Sequence, residues 1–268
     1  TVSLVVESRH PGFGEGDVIF NTNGWQEFGL VGDGISTFGY MFPRLLDPDI
    51  APISTALGAL GMLGLTAYSG VYLQCDPQPG ETVVVSAASG GVGQIAGQIA
   101  RIKGCRVVGI AGSATKCDFV KDTLGFDACV SHRSATLRED LRSACPDGID
   151  IYFENVGGQV FEAVLPLLNR SSRITQCGMI SQYGNAAGVD AQAAWQAMGQ
   201  PFFDRQEVKV HGLFVGNFVK EFQDRFMSEM ATWIKDGQVR YKEDLWAGLP
   251  RAPEAFIALL NGGNFGKT

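Results

Sequence analysis

From Glu81 onward the apolar positions settle into a repeating alternation. "TVVVSAA" (Thr82–Ala88) is apolar almost throughout, as a strand covered on both faces would be. "GVGQIAGQIARIKG" (Gly91–Gly104) then sets Ile95, Ile99 and Ile102 on one face of a helix. "CRVVGIA" predicts the next strand, and "SATKCDFVKDTLG" a helix capped by Ser113 and stopped by Gly125. The pattern continues with strand "FDACVS", helix "ATLREDLRSAC", strand "GIDIYFEN", helix "GGQVFEAVLPLLN" and strand "SSRITQCG". Strands alternating with helices of this length predict an α/β fold, a doubly wound parallel sheet of the Rossmann type. Ser181–Gln206 has weak periodicity and reads as a long loop with a short helix near "AQAAWQAMG". "EVKVHGLFV" (Glu207–Val215) predicts a sixth strand. In "KEFQDRFMSEMATWIKDG" the residues Phe222, Phe226, Met230 and Trp233 form a helical stripe that belongs in the core.

The ends of the chain differ from this middle. Thr1–Asp49 is rich in Gly, Pro and β-formers, with "TVSLVVES", "GDVIF" and "NGWQEFGLV" as candidate strands. The tail "YKEDLWAGLPRAPEAFIALLNGGNFGKT" reads as a strand, a short helix and a Gly-rich end. Ile50–Cys75 carries no charge over a span long enough to cross a bilayer, but Gly58, Gly61, Gly64 and Gly70 interrupt it and prolines flank it. It reads as buried helical segments between two lobes. The expected division is residues 1–52 as part of one domain, 53–236 as a nucleotide-binding domain, and 237–268 as a return to the first.

Composition narrows the function. The 268 residues are 45% hydrophobic, which fits a packed globular chain, and the net charge of −7 without basic blocks argues against nucleic-acid binding. Cys75, Cys105, Cys117, Cys129, Cys145 and Cys177 form no CxxC pair, and His10, His132 and His211 are scattered, so no zinc site is predicted. Reduced, buried cysteines and an opening "TVSLVVE" without the character of a secretory leader predict a cytoplasmic protein with no membrane partner.

The chemistry lies in "AASGGVGQ". Ala88–Gly93 fits a dinucleotide fingerprint with Ala in place of the first Gly. Gly90, Gly91, Val92 and Gly93 would bring backbone to a pyrophosphate, at a helix N-terminus whose free N–H groups favour anions. About 20 residues on, an NAD-binding chain carries an acid for the ribose hydroxyl. Here the strand ends in Ala111, Gly112 and Ser113, followed by Lys116. A small turn with a nearby cation suits a 2′-phosphate, so NADP(H) is the expected cofactor.

With "GMLGLTAYSG", "GIDIYFENVGG", "CGMISQY" and "GNFGKT", these residues resemble the zinc-independent medium-chain dehydrogenase/reductases, in the branch of the prostaglandin, 2-alkenal and curcumin reductases. The resemblance implies a GroES-like catalytic domain beside the Rossmann domain, with Thr1–Asp49 matching only its later part and "NFGKT" falling short of a final strand. It implies that Lys116 meets the 2′-phosphate and that His132 stands near it, where relatives carry Tyr. Asn155 would face the cofactor from a strand end. Cys177, Gly178, Met179, Ile180, Ser181 and Tyr183 would lie under the nicotinamide ribose. Leu213, Phe214 and Val215 would present backbone to the carboxamide, and Asn264 would close over the cofactor from the tail.

The reaction implied is NADPH-dependent reduction of the carbon–carbon double bond of an α,β-unsaturated ketone or aldehyde, a small-molecule substrate. The alternatives are a quinone oxidoreductase of the same superfamily and an NADP-binding protein without chemistry. Some relatives place a Tyr after the strand holding Phe214. This chain has Gly216, so no catalytic side chain is assigned and the nicotinamide-ribose hydroxyl is the expected proton donor. The free edge of "EVKVHGLFV" predicts a homodimer.

Overall fold

A computed structural model describes residues 1–184 and 190–268. It contains two sheets. The smaller is antiparallel, in the order β1 (Val2–Leu4), β2 (Val18–Phe20), β3 (Arg44–Leu45). The larger is parallel and six-stranded: β4 (Thr82–Ser86), β5 (Arg106–Ala111), β6 (Ala128–Ser131), β7 (Ile149–Glu154), β8 (Leu168–Gln176) and β9 (Lys209–Gly212). Its spatial order is β6-β5-β4-β7-β8-β9, so the winding reverses between β4 and β7. The Rossmann expectation holds, and the crevice at that reversal is where such sheets bind ligands.

Alternation along β4 shows why its sequence is apolar throughout. Val83 and Val85 face one hydrophobic layer and Val84 the other. The first layer is built with α1 (Met62–Ala67), the π-wound turns Tyr68–Cys75, α2 (Gly93–Ile102) and α7 (Gly216–Lys235), where Phe226 and Met230 are fully buried as their stripe predicts. The second is built with α4 (Leu137–Ala144), α5 (Gly158–Val164) and α6 (Ala191–Gln206). α3 (Ala114–Asp118) starts as predicted, with the Ser113 hydroxyl accepting from Lys116 N at 3.3 Å.

Three local expectations are corrected. "NGWQEFGLV" forms no strand. Gly24 sits at φ +79° and turns the chain, and the third strand is Arg44–Leu45, paired with β2. The short helix expected near "AQAAWQAMG" is there but runs on to Gln206 as α6, in place of the rest of the loop expected after it, while residues 185–189 lie outside the described residues. Its buried face is Trp195, Gly199 and Phe203, and its outer face is a polar ladder in which Gln196 donates to Gln200 (2.7 Å) and Gln200 to Asp204 (2.6 Å). Asp190 caps it by accepting from Ala193 N. The tail strand shrinks to a single bridge between Glu243 and Lys267, followed in space by α8 (Ala252–Leu260). Ile50–Cys75 breaks into short helical turns as expected, and no described helix is long and apolar enough to cross a membrane.

Candidate cofactor site

At the C-terminal ends of β4 and β7 lies a cavity of about 580 Å³. One wall is the glycine turn between β4 and α2. Gly90 N donates to Ala87 O at 2.9 Å, folding the chain back on itself. A Cβ at Gly93 would come within 2.3 Å of Ala87 O, a backbone atom that cannot give way, so only glycine lets α2 start this close to the sheet. Gly90, Gly91, Val92 and Gly93 all line the cavity.

The facing wall follows β7. Asn155 N donates to the Ser86 hydroxyl (2.8 Å) and Asn155 Nδ2 to Ser86 O (2.7 Å), which ties the ends of β4 and β7 together. Beneath it, Glu154 is fully buried. Its Oε1 accepts from Val156 N (2.7 Å), Gly157 N (2.9 Å) and the Tyr152 hydroxyl (2.9 Å), and its Oε2 from Trp195 Nε1 (3.3 Å). Burial raises the Glu154 pKa, and the donors around the carboxylate only partly offset it. The next loop hangs from this hub. Cys177 N and Gly178 N donate to Glu154 O, Ile180 N to Asn155 O, and Ser181 N to Val156 O. Cys177, Gly178, Ile180, Ser181 and Tyr183 line the cavity, while Met179 turns away into the second hydrophobic layer. Burial pushes the Cys177 thiol up to about 12, so it is not a thiolate nucleophile at neutral pH.

The far end is cationic. Gly112, Lys116, His132 and Arg133 line it, with Gly262 and Asn264 from the tail. Lys116 Nζ donates to Gly262 O at 2.9 Å. Burial lowers the Lys116 pKa and Arg133 lowers it further. Burial, Arg133 and Lys116 all lower that of His132. Three cationic or basic groups thus gather at this end, and the protonated forms of Lys116 and His132 are disfavoured there, a conflict that a bound anion would relieve. A Cβ at Gly112 would stand 3.2 Å from His132 Nε2, so the glycine keeps this end open.

Most of the residues expected from sequence therefore converge. Ser113 serves as the helix cap and does not line the cavity. Leu213, Phe214 and Val215 also stand outside its wall: Leu213 N is bonded to Gln176 O, Val215 is buried, and Phe214 is exposed. The structure adds Arg133, Leu63, Ser89 and Lys267 to the wall. Of these, only Arg133, a second cation directly after His132, left a signal in the sequence. All six cysteines are free, and among the described residues no group of three or more His, Cys, Asp or Glu side chains could hold a metal.

The profile of the zinc-binding dehydrogenase family matches residues 91–232. The chain is 43% identical over 268 residues to the NADPH-dependent curcumin reductase of Escherichia coli, covering all of this chain and 75% of that protein. It is 38% identical to mouse prostaglandin reductase 1, covering all of this chain and 78% of that protein. The solved structure of CurA from Vibrio vulnificus in complex with NADPH superposes with a TM-score of 0.86 at 40% identity, over 99% of this chain and 77% of that one.

Proposed function

Because the chain belongs to the medium-chain dehydrogenase/reductases, in the branch of the prostaglandin, 2-alkenal and curcumin reductases, we propose that it is an NADPH-dependent reductase of the carbon–carbon double bond in α,β-unsaturated ketones or aldehydes. The observation that carries the cofactor choice is the crowding of Lys116, His132 and Arg133 around Gly112, at a strand end without an acid. In this reading Gly90–Gly93 hold the pyrophosphate at the start of α2. Lys116, His132 and Arg133 hold the 2′-phosphate. Asn155 and the Cys177–Tyr183 loop flank the nicotinamide ribose, and Asn264 closes the tail over the cofactor. Leu213, Phe214 and Val215 would meet the carboxamide end. Bound NADPH supplies a hydride to the substrate β-carbon. The chain orients both partners, keeps water from the buried floor, and donates hydrogen bonds to the oxygen on which charge develops.

We read residues 53–236 as the NADP-binding domain and residues 1–52 and 237–268 as parts of a catalytic domain, a division supported by the separation of the two sheets. The β9 edge, with half-exposed side chains, suits pairing across a two-fold axis, so we expect a homodimer. A monomeric mass by light scattering at micromolar concentration would contradict it. The free thiols support a reducing, cytoplasmic setting.

The test is spectrophotometric. NADPH should be consumed with benzalacetone and much more slowly with menadione; the reverse preference would make the protein a quinone reductase, and binding without consumption would make it a non-catalytic NADP protein. Lys116→Ala should weaken NADPH binding by about 1–3 kcal/mol, the loss of a charge-assisted phosphate contact, with little change for NADH. Equal losses for both would remove Lys116 from the phosphate site.

A further inference from the structure

Reduction of an enone leaves negative charge on the carbonyl oxygen, and the sequence offers no obvious side chain to meet it. We propose that Tyr40, reaching over from the small N-terminal sheet region, donates the proton to that oxygen. This rests on the reductase reading above.

Tyr40 sits at the tip of a tight turn in which Phe38 N donates to Met41 O (3.1 Å) and Met41 N to Phe38 O (2.9 Å), with Gly39 at φ +56°. The tip leans onto the start of α7. A Cβ at Gly216 would lie 2.4 Å from Tyr40 Cδ1 and 2.8 Å from Cε1, so the phenol ring fills the space that a side chain at 216 would occupy. The ring also meets Phe214 edge-on, with centroids 5.5 Å apart and planes at 84°. Phe214 follows Leu213, whose N–H is bonded to Gln176 O, one residue before the cavity wall at Cys177. Tyr40 is not part of the cavity wall itself; it stands against Phe214 and Gly216, beside the segment that the reductase reading gives to the carboxamide end.

Its hydroxyl is free to act. The Tyr40 O–H points to Met62 Sδ at 3.5 Å, a weak acceptor, and has no oxygen or nitrogen partner among the described residues. Met62 directly precedes Leu63, which is in the cavity wall. Burial raises the phenol pKa above its ordinary value, so the group carries its proton throughout the neutral range. Three phenols near the core are committed: Tyr68 donates to Glu229 and Tyr152 to Glu154, while Tyr72 accepts from Arg225; Tyr241 packs on the core and is not in the cavity wall. Tyr183 lines the cavity, but it is largely in solvent.

The step balances without a further reagent. Hydride adds to the β-carbon, the π pair of the double bond shifts to form the enolate, and its oxygen takes the Tyr40 proton to give the enol. The phenolate recovers a proton from water, and the enol tautomerises to the saturated ketone through solvent.

Tyr40→Phe keeps the ring over Gly216 and removes only the hydroxyl. It should bind NADPH within about twofold of the wild type and reduce benzalacetone with a kcat lower by about a hundredfold, the low end of general-acid effects. Acetylacetone enolate, which carries its charge where the reaction develops it, should bind the wild-type NADP⁺ complex about tenfold or more tightly than it binds the variant's, by calorimetry. An active wild type beside an equally active Tyr40→Phe, with equal acetylacetone affinity, overturns the proposal alone. A wild type that binds NADPH and consumes none with any enone overturns the reductase reading and the proposal together.

Discussion

Two tryptophans mark the contrast between the two halves of this molecule. Trp195, on α6, is 3% exposed, stacks on Phe161 with centroids 4.5 Å apart, and donates to buried Glu154. Trp25, in the N-terminal region, is 62% exposed and meets the ring of Phe256 edge-on with centroids 6.1 Å apart. The same side chain is structural in one half and solvated in the other. Around Trp195 the central strands β4, β5 and β7 are packed on both faces by helices, so their apolar residues have a place to go. Around Trp25 the sheet has three short strands, and Phe28, Leu30, Phe38 and Phe42 are exposed with it. The lesson concerns the cavity: the glycine turn and the Glu154 hub that wall it belong to the half whose packing is closed.

That contrast is most severely tested by Trp195→Ala. It would empty a stacked site between Phe161 and Phe203 and leave Glu154 Oε2 without its donor. The expected cost is about 3–5 kcal/mol in urea unfolding of the full chain. NADPH affinity should fall as well, because Glu154 also holds the turn at Val156 and Gly157. A loss below about 1 kcal/mol would mean that this half is not the rigid one. Trp195→Phe sharpens the test: it keeps the stack and removes the N–H, and should cost about 1–2 kcal/mol because Glu154 Oε2 loses its donor while Oε1 keeps its own.

The same contrast explains what could be read from sequence. "TVVVSAA" was legible because a strand buried on both faces must be apolar throughout, and the glycine turn because Gly93 has no alternative beside Ala87 O. Lys116 was legible because an expected acid was missing. α6 was legible only in its first half, the short helix near "AQAAWQAMG", because its buried stripe is only Trp195, Gly199 and Phe203 against a polar ladder, and Pro201 lies inside it. The third N-terminal strand was misplaced because exposed aromatics such as Trp25 and Phe28 imitate a strand's composition without a sheet to join. The Tyr40 tip depends on contacts between distant segments, which no local pattern encodes.

A smaller effect should appear in the pH dependence of cofactor binding. His132 is held below its ordinary pKa by burial, Arg133 and Lys116, so in the free protein it is neutral near pH 7. A phosphate beside it favours the imidazolium, so the bound state holds more protons than the free one. Affinity for NADPH should therefore rise as the pH falls from about 8 toward 6.5, by less than the tenfold per unit that one full proton would give. NADH, lacking the 2′-phosphate, should show no such rise, and His132→Phe should flatten the NADPH curve. An NADPH affinity that falls over this range in the wild type, or an unchanged slope in the variant, would place His132 away from the phosphate.

The smallest effect belongs to the exposed half. Trp25→Ala removes a ring that is mostly solvated and makes one edge contact with Phe256. Substitutions of this kind lie within about 0.5 kcal/mol of neutral, an order of magnitude below the cost at Trp195. Measured in the same urea titration, the two variants separate the halves directly, because residue type and volume lost are identical. If Trp25→Ala instead costs several kcal/mol, the N-terminal region is packed in solution against something that covers Trp25 and its exposed neighbours.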